Sequence, residues 1–113
     1  MRTITRDELQ QMRNQGREPT VVNVLPGSEF EKQHIPGSLN IPVGEDDFET
    51  KVEQAAGGKD QPVVVYCASP SCDASVKAAR ALEKAGFSDV VEYEGGVSDW
   101  KTGGLPVASG SAS

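Results

Sequence analysis

A chain of 113 residues with 36% hydrophobic content can bury one compact core and is too short for two. Seventeen acidic against eleven basic residues give a formal charge of -6, with the lysines and arginines scattered; this excludes the clustered positive field that phosphate contacts require, and with it a nucleic-acid partner. No run approaches the roughly 18 apolar residues of a membrane span, and Met1 to Asp7 has no apolar stretch after its basic residue, so a soluble, cytoplasmic protein is expected.

Thr5-Arg6-Asp7-Glu8 fits a capping box, which predicts a helix from about Arg6 to Met12. Thr20 to Leu25 is a β-branched run ended by Pro26-Gly27, the pattern of a strand buried on both faces. Ser28 to Gln33 is a short helical candidate, broken by Ile35-Pro36-Gly37, and Ser38 to Ile41 alternates like a short strand stopped by Pro42. From Gly44 to Ala56, Phe48, Val52 and Ala55 recur at helical spacing, with acids in the first turn and Gly57-Gly58 as the stop. Pro62 to Tyr66 is apolar throughout and reads as the central strand of a parallel sheet. Asp73 to Ala85 forms a helix that Asp73 can cap, with Val76, Ala79 and Leu82 as its apolar stripe and Gly86 as its end. Val90 to Tyr93 is a further strand, followed by Gly95-Gly96 and a short helix around Val97 to Lys101. Strands alternating with helices make an open α/β sheet, whose ligand sites lie beyond the carboxyl ends of the strands. The expected layout is one domain over 1–107 and a flexible, small and polar tail over 108–113.

Both cysteines lie in one segment, Cys67-Ala68-Ser69-Pro70-Ser71-Cys72, directly after the strongest strand. A disulfide stabilises chiefly by closing a long loop of the unfolded chain, and four intervening residues close almost nothing. Zinc is a poor fit as well, because a structural site wants four ligands and His34 is the single histidine. No metal is expected. A close thiol pair in such a chain points to catalytic or redox chemistry.

Three segments together resemble the rhodanese-like sulfurtransferase family. Glu29-Phe30-Glu31-Lys32-Gln33-His34-Ile35-Pro36-Gly37-Ser38-Leu39-Asn40-Ile41-Pro42 is similar to its "EF…GHIPGA.NIP" segment. Val63-Val64-Val65-Tyr66-Cys67 resembles the strand that delivers its nucleophilic cysteine, and Gly86-Phe87, Gly95-Gly96, Trp100 and Gly104-Leu105-Pro106-Val107 resemble its closing "GF…GG…W…GLPV". The resemblance implies an α/β fold with a five-stranded, mainly parallel sheet flanked by helices on both faces. It implies a sulfurtransferase that holds sulfane sulfur as a persulfide on Cys67 and passes it to cyanide, a low-molecular-weight thiol or a protein thiol, with a small sulfur-containing donor and no cofactor. Ala68, Ser69, Pro70, Ser71, Cys72 and Asp73 would form the substrate-binding loop. The chain departs from the family pattern in two places. Asn23-Val24-Leu25 stands where "DVR" is frequent, and the loop has no arginine after Cys67, resembling a variant with a second cysteine in the loop.

A strand feeding a tight loop and a helix start directs backbone N–H groups and the helix dipole at one point, which favours an anion. A cysteine there should ionise more readily than a free thiol, and the thiolate is the form that attacks sulfane sulfur. Against this stands Cys67 as a small apolar plug. Cys72 is either a resolving thiol, releasing hydrosulfide and forming a disulfide that a thioredoxin-like protein reopens, or a bystander. A sulfur-relay protein is the other expected partner. Asp73 is expected to serve as a helix cap, His34 as part of a supporting turn, Trp100 as a core or lid aromatic, and Ser69, Ser71 and Ser75 as donors to backbone or sulfur. The alternatives are a non-catalytic binding or sensing module, a Cys67/Cys72 dithiol oxidoreductase and, weakest, a phosphatase or arsenate reductase, which needs a guanidinium clamp that the loop lacks.

Overall fold

The computed structural model describes residues 2–15, 19–68 and 72–110. Its ten elements run β1 (Arg2–Ile4), α1 (Arg6–Asn14), β2 (Thr20–Asn23), α2 (Gly27–Lys32), β3 (Leu39–Asn40), α3 (Phe48–Ala56), β4 (Val63–Tyr66), α4 (Ala74–Lys84), β5 (Val90–Tyr93) and α5 (Gly96–Thr102). The strands form a five-stranded sheet in the order β1-β5-β4-β2-β3. Every pairing is parallel, where the family resemblance implied a mainly parallel sheet.

The register explains why β4 is apolar at every position. Val63 to Tyr66 lie between Thr20 to Asn23 on one side and Val90 to Tyr93 on the other, and all four are fully buried. Each such side chain contributes roughly 1.5–3 kcal/mol of burial free energy. Alternation along the strands sends Val63, Val65, Val22 and Val90 toward α3 and α4, which return Phe48, Val52, Ala78, Ala79 and Leu82. Val64, Tyr66, Val21 and Val91 point the other way, against Leu9 of α1 and Val97 and Trp100 of α5. Helices therefore cover both faces of the sheet.

Local chemistry sets the element ends. The capping box of α1 is complete, with the Glu8 amide donating to Thr5 Oγ1 (3.2 Å) and the Thr5 amide to Glu8 Oε1 (3.0 Å). Helix α3 starts at Phe48, four residues later than the acids suggested. The Glu45 and Phe48 amides close turns onto Pro42 and Glu45, and Lys51 folds back onto Glu45 (2.5 Å) and Asp47 (3.7 Å). Strand β1 was not expected from the pattern. Its first two residues are exposed, so it carries little of the apolar signal that marks the inner strands. Asp73 precedes α4 but its side chain makes no capping bond; it pairs instead with Lys77 (3.6 Å) on the exposed surface.

Beyond α5 the chain returns to the body of the domain. His34 and Ala108 exchange backbone hydrogen bonds of 2.9 and 2.8 Å, and the Gly110 amide reaches Glu31 O (2.7 Å). Among the described residues no helix is long and apolar enough to cross a membrane.

Candidate active site

Cys67 is the first residue beyond β4, at the carboxyl end of a central strand, and it is buried. Its main chain is clamped by the start of α5. The Val97 amide donates to Cys67 O (3.1 Å) and the Ser98 amide to Ala68 O (2.8 Å). Gly96 makes this approach possible: its φ is +65°, and a Cβ there would collide with Cys67 O and the backbone carbons of Cys67 and Ala68. The sequence signal for this clamp was the Gly95-Gly96 pair, whose role the residues alone did not reveal.

The strand itself is braced from the opposite face. Tyr66, next to Cys67, accepts the Ile35 amide at its phenol oxygen (3.0 Å) and shares a hydrogen bond with Ser38 Oγ (2.7 Å), which in turn donates to Ile35 O (2.6 Å). Burial pushes the Tyr66 phenol above its ordinary pKa, so it stays a neutral partner. His34 belongs to this same turn region. It is buried, with its ring stacked on Phe30 (3.7 Å between centroids) and Nδ1 against Phe30 O at 2.8 Å, contacts of a structural residue. Trp100 is likewise packed in the core, its indole N–H donating to Pro106 O (2.8 Å) and its ring edge-on to Tyr93.

Cys67 and Cys72 are joined as a disulfide, with their Cα atoms 6.4 Å apart, inside the usual span for a bridge. Both sulfurs thus meet at one place. Ser69, Pro70 and Ser71 of the expected binding loop lie outside the described residues; Ala68 is exposed, Cys72 half-buried and Asp73 exposed. Cys67 Sγ also lies 3.4 Å from Ser75 Oγ and 3.5 Å from the Cys72 carbonyl oxygen. Because Ser75 is in the first turn of α4, the sulfur sits beside the positive end of an 11-residue helix.

Two residues shape the site more than their sequence context suggested. Ser75 is buried, and its hydroxyl donates to the Glu92 carboxylate (2.6 Å). Glu92 sits on β5 opposite Val65, only 2% exposed, on the same face of the sheet as Cys67. The available signal was an acid inside an otherwise apolar strand, Val90-Val91-Glu92-Tyr93. Where "DVR" is frequent in the resembling family, an amide network stands instead. Asn23 Oδ1 accepts the Leu25 amide (2.9 Å), and Asn40 Nδ2 donates to Asn23 O (3.2 Å) and Leu25 O (2.8 Å). Among the described residues no group of His, Cys, Asp and Glu side chains is arranged to hold a metal ion.

Comparison with known proteins gives this geometry a family. A match to the Rhodanese-like domain covers residues 5–102. The chain is 36% identical over 108 residues to the HTH-type transcriptional regulator Rv0324 of Mycobacterium tuberculosis, covering 96% of this chain and 45% of that protein. It is 35% identical over 80 residues to the putative sulfur carrier protein YrkF of Bacillus subtilis, covering 71% of this chain and 40% of that protein. The chain thus spans less than half the length of these two relatives. Among solved structures, the BH2092 protein from Bacillus halodurans superposes with a TM-score of 0.82 at 27% identity, covering 97% of this chain and 77% of the other. With its nearly full-length domain match, all-parallel five-stranded sheet and cysteine at the end of β4, the chain belongs to the rhodanese-like family.

Proposed function

We propose that this domain is a sulfurtransferase that carries sulfane sulfur on Cys67. The observation that carries this reading is the placement of Cys67 at the carboxyl end of β4, held by the α5 amides and set beside the start of α4. The Cys67 thiolate attacks the sulfane sulfur of a donor; the donor's sulfur–sulfur bond breaks, the donor leaves as its thiolate, and Cys67 becomes a persulfide. A thiol or cyanide acceptor then takes the outer sulfur and returns Cys67 to the thiolate. Ala68, Ser69, Pro70, Ser71 and Asp73 complete the loop that receives the donor.

The donor is inferred from charge. Thiosulfate is a doubly charged anion that wants a guanidinium, and the loop contains none. The nearest basic residues along α4, Lys77 and Arg80, are exposed, and Lys77 is engaged by Asp73. A low-molecular-weight or protein persulfide, with a single charge at its reacting end, suits a site of helix and backbone dipoles. Relatives named as a sulfur carrier and as probable adenylyltransferase/sulfurtransferases fit a place in a sulfur relay.

The Cys67–Cys72 bond supports a further step and a second reading. Cys72 attacks Cys67 Sγ of the persulfide, hydrosulfide leaves, and a disulfide forms. The sulfane sulfur is reduced to sulfide while the two thiols are oxidised. An external dithiol of the thioredoxin type reopens the pair, chemistry suited to a reducing compartment such as the cytoplasm. Without the sulfur donor, the same pair is a dithiol oxidoreductase.

The test is cyanide-dependent thiocyanate formation with a persulfide donor. The parent chain is expected to turn over and Cys67→Ser to lose the activity, whereas retention of activity in Cys67→Ser would refute the assignment.

A further inference from the structure

Among the described residues, the buried Glu92 carboxyl is the one acid set into the face of the sheet that otherwise presents valines to α3 and α4. Its hydroxyl partner, Ser75, occupies a helix position flanked by buried Ala78, Ala79 and Leu82. Two polar residues stand where apolar ones would pack, and burial of each costs free energy unless it is matched. Together they form a continuous line from the reacting sulfur inward: Cys67 Sγ to Ser75 Oγ at 3.4 Å, and Ser75 Oγ to Glu92 Oε2 at 2.6 Å.

The surroundings of Glu92 sharpen the question of what the line does. On β4 and its loop the titratable groups are Tyr66, which points to the opposite face, and Cys67 with its partner Cys72. On β1 Arg2 is exposed, and Asp73, Lys77, Arg80, Glu83 and Lys84 are on the exposed side of α4. On β5 itself Tyr93 faces away and Glu94, just beyond the strand, is exposed. Among the described residues no ion pair is made to Glu92. Ionising Cys67 by losing its proton to water would therefore leave a negative charge buried beside the Glu92 carboxyl with no cation paired to it among the described residues, which is unfavourable.

We propose that Ser75 and Glu92 form a proton relay that takes the Cys67 thiol proton when the sulfur is to attack and returns it when the sulfur is released. The proposal rests on the sulfurtransferase reading for its purpose but not for its test. In the dithiol form the Cys67 S–H bond breaks, its proton passes to Ser75 Oγ, and the Ser75 hydroxyl proton passes to Glu92 Oε2. The electron pair stays on Cys67 Sγ, and one negative charge moves from carboxylate to sulfur without changing the charge of the buried cluster. On discharge the steps run in reverse, so the leaving Cys67 thiolate is quenched by the same proton. Glu92 never touches substrate; it is a positioning residue that acts through Ser75.

The test is the pH dependence of Cys67 alkylation by iodoacetamide, followed by intact mass in the fully reduced 113-residue chain carrying Cys72→Ser so that a single thiol reacts. A shared proton gives two rising steps, a partial one at lower pH and a second once both groups have lost their protons. Glu92→Gln and Ser75→Ala should each remove the lower step, slowing alkylation on that plateau roughly tenfold, the change produced by a one-unit displacement of the thiol titration. Glu92→Asp should restore two steps. A single step in the parent that moves to lower pH in Glu92→Gln would overturn the relay, since it would show a carboxylate that stays charged and merely repels the thiolate. A profile unchanged by either substitution would overturn it too. Should Glu92→Gln not fold, Ser75→Ala, which removes one oxygen, carries the same comparison. Alkylation needs no sulfur donor, so the failures are separable: two steps without sulfur loading sink the sulfurtransferase reading alone, and loading with a single step sinks the relay alone.

Discussion

Replacing Gly96 by alanine tests the clamp on Cys67. The new Cβ would run into Cys67 O and the adjoining backbone, which cannot swing aside as a flexible side chain can. The left-handed conformation at φ +65° costs an alanine about 1–2 kcal/mol. Relieving the collision means moving α5 away, which weakens the Val97 to Cys67 and Ser98 to Ala68 hydrogen bonds, each worth about 0.5–1.5 kcal/mol net. The expected loss is about 3 kcal/mol, or a urea midpoint lower by roughly 1–3 M at ordinary denaturant slopes. Gly57→Ala is the control. Gly57 has a similar φ of +86° but open space around it, so only the conformational cost of about 1–2 kcal/mol should appear. Urea unfolding followed by Trp100 fluorescence measures both. Equal losses in the two variants would refute the clamp, because the close approach at Gly96 would then carry no energy of its own.

Cys72→Ser should keep sulfur loading on Cys67, prolong the persulfide and abolish any need for a thioredoxin-type reductant; mass spectrometry over time decides this, and a persulfide lost as fast as in the parent would show Cys72 to be a bystander. Glutathione persulfide should outperform thiosulfate as donor in steady-state comparison, and a clear preference for thiosulfate would contradict the charge argument. Burial holds the Tyr66 phenol above its ordinary pKa, and burial together with Asp99 does the same for Tyr93. Both phenols are thus raised on folding, so their contribution is fully present below the unfolded value of about 10 and is lost as pH rises beyond it. Urea midpoints should fall above about pH 10 and fall less steeply in Tyr66→Phe; midpoints flat to pH 11 would contradict this.

The sequence exposes what alternation and punctuation can carry. Val63 to Tyr66 is legible because a central parallel strand is apolar on both faces, and α1 because Thr5 and Glu8 form a reciprocal cap. Strand β1 escapes notice because two of its three residues face solvent at the sheet edge. On α4 the apolar spacing highlights Val76, yet the inward face is Ser75, Ala78, Ala79 and Leu82, since the smaller residues let the helix sit close to the sheet. Cys67 is recognisable from its strand and loop, and so is the possibility of a bond to Cys72. Glu92 and Ser75 are not, because a lone acid in a strand and a serine near a helix start have meaning only once β5 and α4 are seen to meet at the sulfur. Asp73 shows the reverse case, a residue that looks like a cap but turns to Lys77.

Everything proposed for this site depends on Cys67 carrying the transferred sulfur. Intact-mass and fragment-ion spectrometry of the reduced chain after brief exposure to glutathione persulfide tests it most directly. One added sulfur atom is expected on Cys67, absent in Cys67→Ser and removed by cyanide. An added sulfur located on Cys72, or loading that survives in Cys67→Ser, would contradict it.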